Sequence, residues 1–250
     1  MKKFNAFQLK LFFMVLMVFD HLHHIPGFLP PWWQEIFHVL TRCVGPFFAF
    51  MAVEGFLHTR NRFKYNARLF MWAGIMFAGN FGLNLLFQQE SLVVYNNIFY
   101  TLAVGVLALN AWAFPVEKLK INRTFAKVIK VFLALLISIY ACVAYEGSMS
   151  MIPFMLICYF LRDKVKLRNI VTILLCVFLF IINFDILPTM EQTIRLMMFN
   201  SDWLLFTVLP FLSFYNGERG PSNRFSKYLF YVFYPAHLWI IALIGYFVMK

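Results

Sequence analysis

The stretch LKLFFMVLMVFDH, residues 9–21, decides how this chain is read. Leu9 to Phe19 is apolar enough to continue as a membrane-spanning helix, yet the run ends in Asp20-His21. Lipid holds no water to solvate a carboxylate or an imidazolium, so ionisable residues inside a membrane helix face a partner or a wet cavity. An acid beside a base there points to proton chemistry. Lys10 precedes His21 by eleven residues. Eleven steps of about 100° bring the two within about 20° of one another, on one face and about 16 Å apart.

The rest of the chain agrees with a membrane setting. Its 250 residues are 62% hydrophobic and only 13% charged, about half the charge of a soluble domain. The net charge of +11 sits in short loops between apolar runs, which marks membrane orientation and excludes a nucleic-acid stripe. Cys43, Cys142, Cys158 and Cys176 lie inside apolar segments without a CxxC pair, so they read as small core hydrophobes. The first apolar run carries Asp20 and lacks a small-residue cleavage site, and is therefore expected to be a retained helix.

Hydropathy predicts an all-α polytopic membrane helix bundle of about nine transmembrane helices in a single domain, 1–250. The expected spans are 7–25, 36–58, 65–87, 95–114, 126–145, 148–161, 168–187, 200–216 and 225–249. The sixth is short for a bilayer, and Gly45-Pro46 predicts a kink or break in the second. Nineteen of the 22 basic residues fall in alternate segments: Lys2, Lys3 and Lys10; Arg60, Arg62, Lys64 and Arg68; Lys118, Lys120, Arg123, Lys127 and Lys130; Arg162, Lys164, Lys166 and Arg168; Arg219, Arg224 and Lys227. This asymmetry places the N-terminus in the cytoplasm. The opposite segments carry Glu35, Glu90, Glu146, Asp185, Glu191 and Asp202.

Depth follows from 1.5 Å per residue. Asp20, His21 and His24 run from mid-membrane outwards, and His237 in the ninth helix comes to a depth comparable with His21. Glu54 and His58 share a face near the inner surface. Asn80 and Asn84 share one in the outer half. The basic residues Lys10, Arg60, Arg62, Lys64 and Arg68 then line an inner mouth suited to phosphate oxygens, so an anionic cytoplasmic substrate is expected. Each basic residue could equally be a topology determinant, Glu54 a structural ion-pair partner, and His237 a buried imidazole satisfied by one carbonyl. His23, Trp32, Trp33 and His38 read as interfacial anchors. His21 and His24 could ligate a metal, but their spacing marks no site; no metal is expected. No Walker loop, HExxH or GxSxG occurs.

Three stretches resemble the TraX family, whose namesake is the F-pilin acetylase: FNAFQLKLFFMVLMVFDHLHHI (4–25), RCVGPFFAFMAVEGFLHTRNRFKYNARLF (42–70) and LPFLSFYNGERGPSNRFSKYLFYVFYPAHLWII (209–241). That family is related to transmembrane acyltransferases whose first helix carries a basic residue, ten others, then a His. The resemblance implies that His21 is the catalytic base, with Asp20 supporting it, and that Lys10 belongs to the acyl-CoA region. The related RxxR pair at the third helix is replaced here by Arg60, Arg62, Lys64 and Arg68. With Arg42, Glu54 and His58, these form the expected donor-binding set; His24, Asn80, Asn84 and His237 form the expected acceptor-side set.

The implied function is an acetyltransferase in the bacterial cytoplasmic membrane. It would take acetyl-CoA as donor and a pilin N-terminus, another peptide or an envelope glycan as acceptor, with membrane lipids and no nucleic acid as its other partners. Two rivals stand beside it. One is a proton-coupled transporter using Asp20-His21 as a relay; the other is an assembly protein whose polar residues only hold helices together.

Overall fold

The computed structural model describes residues 3–87, 93–118, 122–145 and 147–250. Lys2, Glu90, Lys120 and Glu146, used above for orientation, lie outside the described residues. Secondary structure among the described residues is helical apart from one isolated bridge, Phe4 to Tyr215. The helices are α1 (Ala6–His21), α2 (Pro31–Leu40), α3 (Val44–His58), α4 (Arg62–Phe87), α5 (Ile98–Trp112), α6 (Arg123–Val143), α7 (Ser148–Phe160), α8 (Val165–Asn183), α9 (Met190–Phe199), α10 (Leu209–Phe214) and α11 (Arg224–Val248).

Six segments among the described residues are long and apolar enough to cross a membrane: Ala6–His24, Pro31–His58, α4, α6, α8 and α11. A seventh is Met190–Phe214 if its two helical parts, bent by 52°, count as one span. The chain is therefore a polytopic helical membrane protein. Nine spans were expected. The difference lies in α5 and α7, with 15 and 13 residues. These reach about 22 and 20 Å at 1.5 Å per residue, short of the roughly 30 Å hydrocarbon core.

The expected break in the second span is present. A 3-10 turn, Thr41–Cys43, separates α2 from α3. Pro46 has no N–H to return to the carbonyl four residues back, and its ring crowds that carbonyl, so the α-helical ladder is interrupted just upstream.

The chain divides into two units. The first comprises residues 1–48, 75–95 and 176–250. Here the segment before α1 is stitched to the loop before α11. Lys3 and Phe4 donate their amides to the Phe214 carbonyl at 2.9 and 3.0 Å. Asn216 donates to Phe4 at 2.9 Å and Ala6 to Glu218 at 2.8 Å. Asn5 caps α1, its side chain receiving the Gln8 amide while Gln8 returns a bond to the Asn5 amide. Gly220, at φ +79°, passes against the Asn5 carboxamide.

α1 and α11 thus start from one anchored end, and Phe7 packs edge-on against Phe230 at 5.8 Å. On the other flank of α1, Phe13 stacks on Phe47 of α3 at 3.8 Å. α11 also lies on the C-terminal half of α4: the Trp239 indole rests over Gly79 and donates to Asn80 Oδ1 at 2.9 Å.

The second unit comprises residues 49–74 and 96–175. Its centre is α5, most of which is buried against α6 and α7. Buried amides tie the early turns of α4 to α5. Asn66 donates to the Ala103 carbonyl at 2.7 Å, and Asn97 to Ala73 at 3.0 Å. Large apolar side chains remain exposed along α6 and the first part of α8, among them Val128, Phe132, Ile139, Ile170 and Leu174. Such faces suit lipid. All four cysteines are free, and Cys43, Cys158 and Cys176 are buried.

Candidate functional site

In the first unit, α1 delivers Lys10, Asp20 and His21, and α11 delivers His237. His21 lies fifteen residues beyond the start of α1 and His237 thirteen beyond the start of α11. From a common anchored end these are rises of about 22 and 20 Å, and the two imidazoles meet. His21 Nδ1 lies 3.2 Å from His237 Nε2, and both residues are buried.

The partners fix the tautomers. His21 Nδ1 is also 2.8 Å from the Met17 carbonyl, and His237 Nδ1 is 2.9 Å from the Phe233 carbonyl. A carbonyl only accepts, so each Nδ1 carries the proton. The neutral His237 therefore presents its Nε2 lone pair to the His21 Nδ1–H. That leaves the His21 Nε2 lone pair without a hydrogen-bond partner among the described residues. Tyr234 flanks both rings, edge-on, at 6.5 and 5.5 Å.

Asp20 takes its partners from elsewhere. α1 ends at His21, and residues Leu22–His24 form a 3-10 turn. In that tighter winding residues three apart eclipse, so His24 stacks on His21, 10° from parallel at 5.9 Å. The i+4 pairing of Asp20 with His24 open to a continuous α-helix is thereby lost. His24 Nε2 is buried with no hydrogen-bond partner among the described residues.

Asp20 Oδ1 instead receives Thr41 Oγ1 at 2.5 Å and Arg42 Nη2 at 3.4 Å. Arg42 also donates through Nε to the His38 carbonyl at 3.0 Å and lies 3.3 Å from His38 Nδ1. His38 Nε2 faces the Phe199 carbonyl at 3.2 Å, so Nε2 carries the proton and Nδ1 accepts from Arg42. His38, read from sequence as an interfacial anchor, is part of this network. The signal available beforehand was its i,i+4 spacing to an arginine inside a span.

Lys10 sits one turn into α1 with its ammonium over the Phe230 ring, 5.0 Å from the centroid. Arg219, in the loop before α11, is close enough for its charge to act on Lys10. The two cations share the anchored end of α1 and α11. Asn84 is engaged by the backbone: its amide donates to the Val94 carbonyl at 3.1 Å and accepts the Val94 N–H at 2.9 Å. Asn80 holds the Trp239 indole.

The other expected donor-binding residues lie in the second unit. Gly55 leaves room for the Tyr65 ring, whose hydroxyl donates to the Ala52 carbonyl at 3.3 Å, and this closes the α3–α4 hairpin. Arg60, Arg62 and Lys64 are exposed at its turn. Arg62 packs over Phe56 at 4.7 Å and Arg68 over Tyr65 at 5.6 Å. His58 Nδ1 donates to the Glu54 carbonyl at 2.9 Å, with a Glu54 carboxylate oxygen at 3.9 Å.

Arg168 is a further cation of this unit, counted in the sequence only as a loop charge. It is 8% exposed, over Phe50 and bonded to Asn169 Oδ1. No group of three or more His, Cys, Asp or Glu among the described residues could hold a metal.

The fold and this site define a class: a polytopic α-helical membrane protein with a hydrogen-bonded histidine pair and a carboxylate–arginine network. The family model described as "TraX protein" matches residues 6–245. The chain belongs to the TraX family. It is also 28% identical over 247 residues to the probable fimbrial assembly protein FimC, serogroup H1, of Dichelobacter nodosus, covering 94% of this chain and 93% of that one. No solved structure matches.

Proposed function

We propose that this protein is a membrane-embedded acetyltransferase of the bacterial cytoplasmic membrane. It moves acetyl from cytoplasmic acetyl-CoA to an amine or hydroxyl of an extracytoplasmic acceptor: a pilin N-terminus, another peptide or an envelope glycan. The observation that carries this reading is the tautomer of His21. Its Nδ1–H is held by Met17 and its Nε2 lone pair is left for an incoming proton. A positioned imidazole is the commonest general base.

In the reaction, the acceptor nucleophile attacks the thioester carbonyl and gives its proton to His21 Nε2. The C–S bond breaks, and the departing thiolate takes that proton to leave as coenzyme A thiol. The thioester supplies the free energy, so the step needs no nucleotide triphosphate. Asp20, held by Thr41 and Arg42, supplies negative charge beside the base. Arg42, expected at the donor, is assigned instead to holding Asp20.

Lys10 and Arg219 are the donor-phosphate cations of the first unit. Arg60, Arg62, Lys64 and Arg68 of the second unit draw an anionic donor to the cytoplasmic face, while Glu54 and His58 engage each other at the end of α3. His24, with its unpartnered buried nitrogen, is the acceptor-side residue best placed for a role. Asn80 and Asn84 are assigned to packing. The orientation has the N-terminus inside, with α5 and α7 as short crossings.

A second reading draws on the relative's printed name. A fimbrial assembly protein could act without chemistry. One experiment separates these and the transporter reading. Purified wild type, His21→Ala and Lys10→Ala receive labelled acetyl-CoA, and binding and coenzyme A release are measured. Turnover by wild type, lost in His21→Ala with binding retained, is expected. Folded wild type that neither binds nor cleaves acetyl-CoA would overturn the enzyme reading.

A further inference from the structure

Resting on the acetyltransferase reading, we infer that His237 is the positioning residue of the base, holding His21 in its reactive tautomer and accepting its Nδ1–H while Nε2 takes the substrate proton. The sequence placed His237 among acceptor-binding residues, where it would touch substrate. The geometry points elsewhere. Its Nδ1–H is committed to the Phe233 carbonyl, 2.9 Å away, so its one free lone pair faces His21 Nδ1 at 3.2 Å.

Its ring is fixed three ways: parallel to Phe233 at 4.9 Å, edge-on to Tyr234, and by that backbone bond. It cannot turn to present Nε2 to a substrate without breaking the contact with His21. An imidazole is useful as a base through Nε2 only when Nδ1 carries the other proton. Met17 alone would favour that state. His237 adds a second acceptor, and a side-chain acceptor, unlike a carbonyl in a helix, reports on how α11 is seated beside α1.

This arrangement also shares the charge that develops during transfer. When His21 Nε2 receives the acceptor's proton, the ring becomes an imidazolium. The Nδ1–H then points at the His237 lone pair, which stabilises the cation as it forms. No bond to His237 is made or broken. The proton on Nε2 passes on to the coenzyme A thiolate, and the pair returns to its starting state. A carboxylate fills this place in many hydrolytic triads. Here the carboxylate next in sequence, Asp20, is tied to Thr41 and Arg42 instead.

The test compares wild type with His237→Gln and His237→Leu in the full chain in detergent or nanodiscs, with His21→Ala as the inactive reference. Glutamine offers a carbonyl oxygen that can accept the Nδ1–H; leucine fills the space and accepts nothing. Coenzyme A release is expected to fall about 100-fold or more in His237→Leu, at the low end of what a general base contributes. The KM for acetyl-CoA should be unchanged, and His237→Gln should stay within about tenfold of wild type.

Nitrogen-15 spectra of histidine-labelled protein supply a readout free of activity. His21 should be the Nδ1–H tautomer in wild type and His237→Gln, and a mixture in His237→Leu. Equal activity in Leu and wild type, equal loss in Gln and Leu, or an Nε2–H tautomer in wild type would each overturn the assignment. Absent turnover in folded wild type would sink the acetyltransferase reading by itself, and the spectra would still decide whether His237 sets the His21 tautomer.

Discussion

The Asp20 carboxylate pairs across the fold with Arg42, at 3.4 Å, whereas His23, three residues on, bonds to the Asp20 backbone carbonyl at 2.8 Å. The pair is a network, since Arg42 also holds His38 and Thr41 reaches the same carboxylate oxygen. Removing one charge strands the other, whereas removing both strands neither. Arg42→Gln is therefore expected to cost about 1–3 kcal/mol, read as a fall of several degrees in Tm in detergent. Asp20→Asn combined with Arg42→Gln should recover part of that loss. A double variant as damaged as the sum of the singles would show that the two residues act independently.

One relationship of this site, the shared depth of His21 and His237, was legible in the sequence, and the limits are physical. A fixed helical rise from a shared end is enough to set His21 and His237 at one depth, and the structure puts them in contact. Spacing along a helix gives depth and face but not which neighbour a side chain meets, so the partner of Asp20 was out of reach. That partner comes from a 3-10 turn, Thr41–Cys43, beyond both a loop and α2. The turn itself was legible, as the break predicted at Gly45-Pro46. The expected length of α5 failed differently. The expected span 95–114 is trimmed at both ends: α5 starts at Ile98 behind its Asn97 cap and stops at Trp112 with its cap at Ala113, because apolar content alone does not measure where a helix begins and ends.

The packing of Trp239 gives a second expectation. A methyl group added at Gly79 would overlap the indole ring. Overpacking of this kind costs about 1–3 kcal/mol. Gly79→Ala should lower Tm, and so should Trp239→Leu, which removes the indole donor to Asn80. In the double variant the overlap is gone. Its Tm should lie above the value expected from adding the single losses, and strict additivity would show that the indole shifts freely when Gly79 changes.

The exposed cations at the α3–α4 turn should act through long-range charge. Arg60, Arg62 and Lys64 are all exposed there. Replacing the three with glutamine is expected to raise the KM for acetyl-CoA about three- to tenfold at low salt and to leave kcat unchanged. The difference from wild type should shrink as ionic strength rises, because charges beyond about 10 Å are screened at 0.1 M. A fall in kcat, or a KM effect that survives 0.5 M salt, would mean that these residues touch the reacting groups instead.

Gly217 and Gly220 test how the anchored end of α1 and α11 governs the site. Both have positive φ, +88° and +79°, where any L side chain is strained. An alanine at either should cost about 1 kcal/mol from backbone strain alone. They differ in their surroundings. A Cβ at Gly217 meets nothing within 4 Å, whereas one at Gly220 would come 2.7 Å from Asn5 Oδ1. That oxygen caps α1 by accepting the Gln8 amide.

Gly220→Ala therefore strains the loop and displaces a cap, which is itself worth about 1 kcal/mol. It should lower Tm by more than Gly217→Ala does. It should also loosen the stitch between the starts of the two helices that carry His21 and His237. Coenzyme A release should accordingly drop in Gly220→Ala and hold in Gly217→Ala. Asn5→Ala, which removes the cap without straining the loop, should cost about as much as Gly217→Ala and less than Gly220→Ala. Equal Tm losses in the two glycine variants would show that the contact with Asn5 carries no weight in seating α1 beside α11.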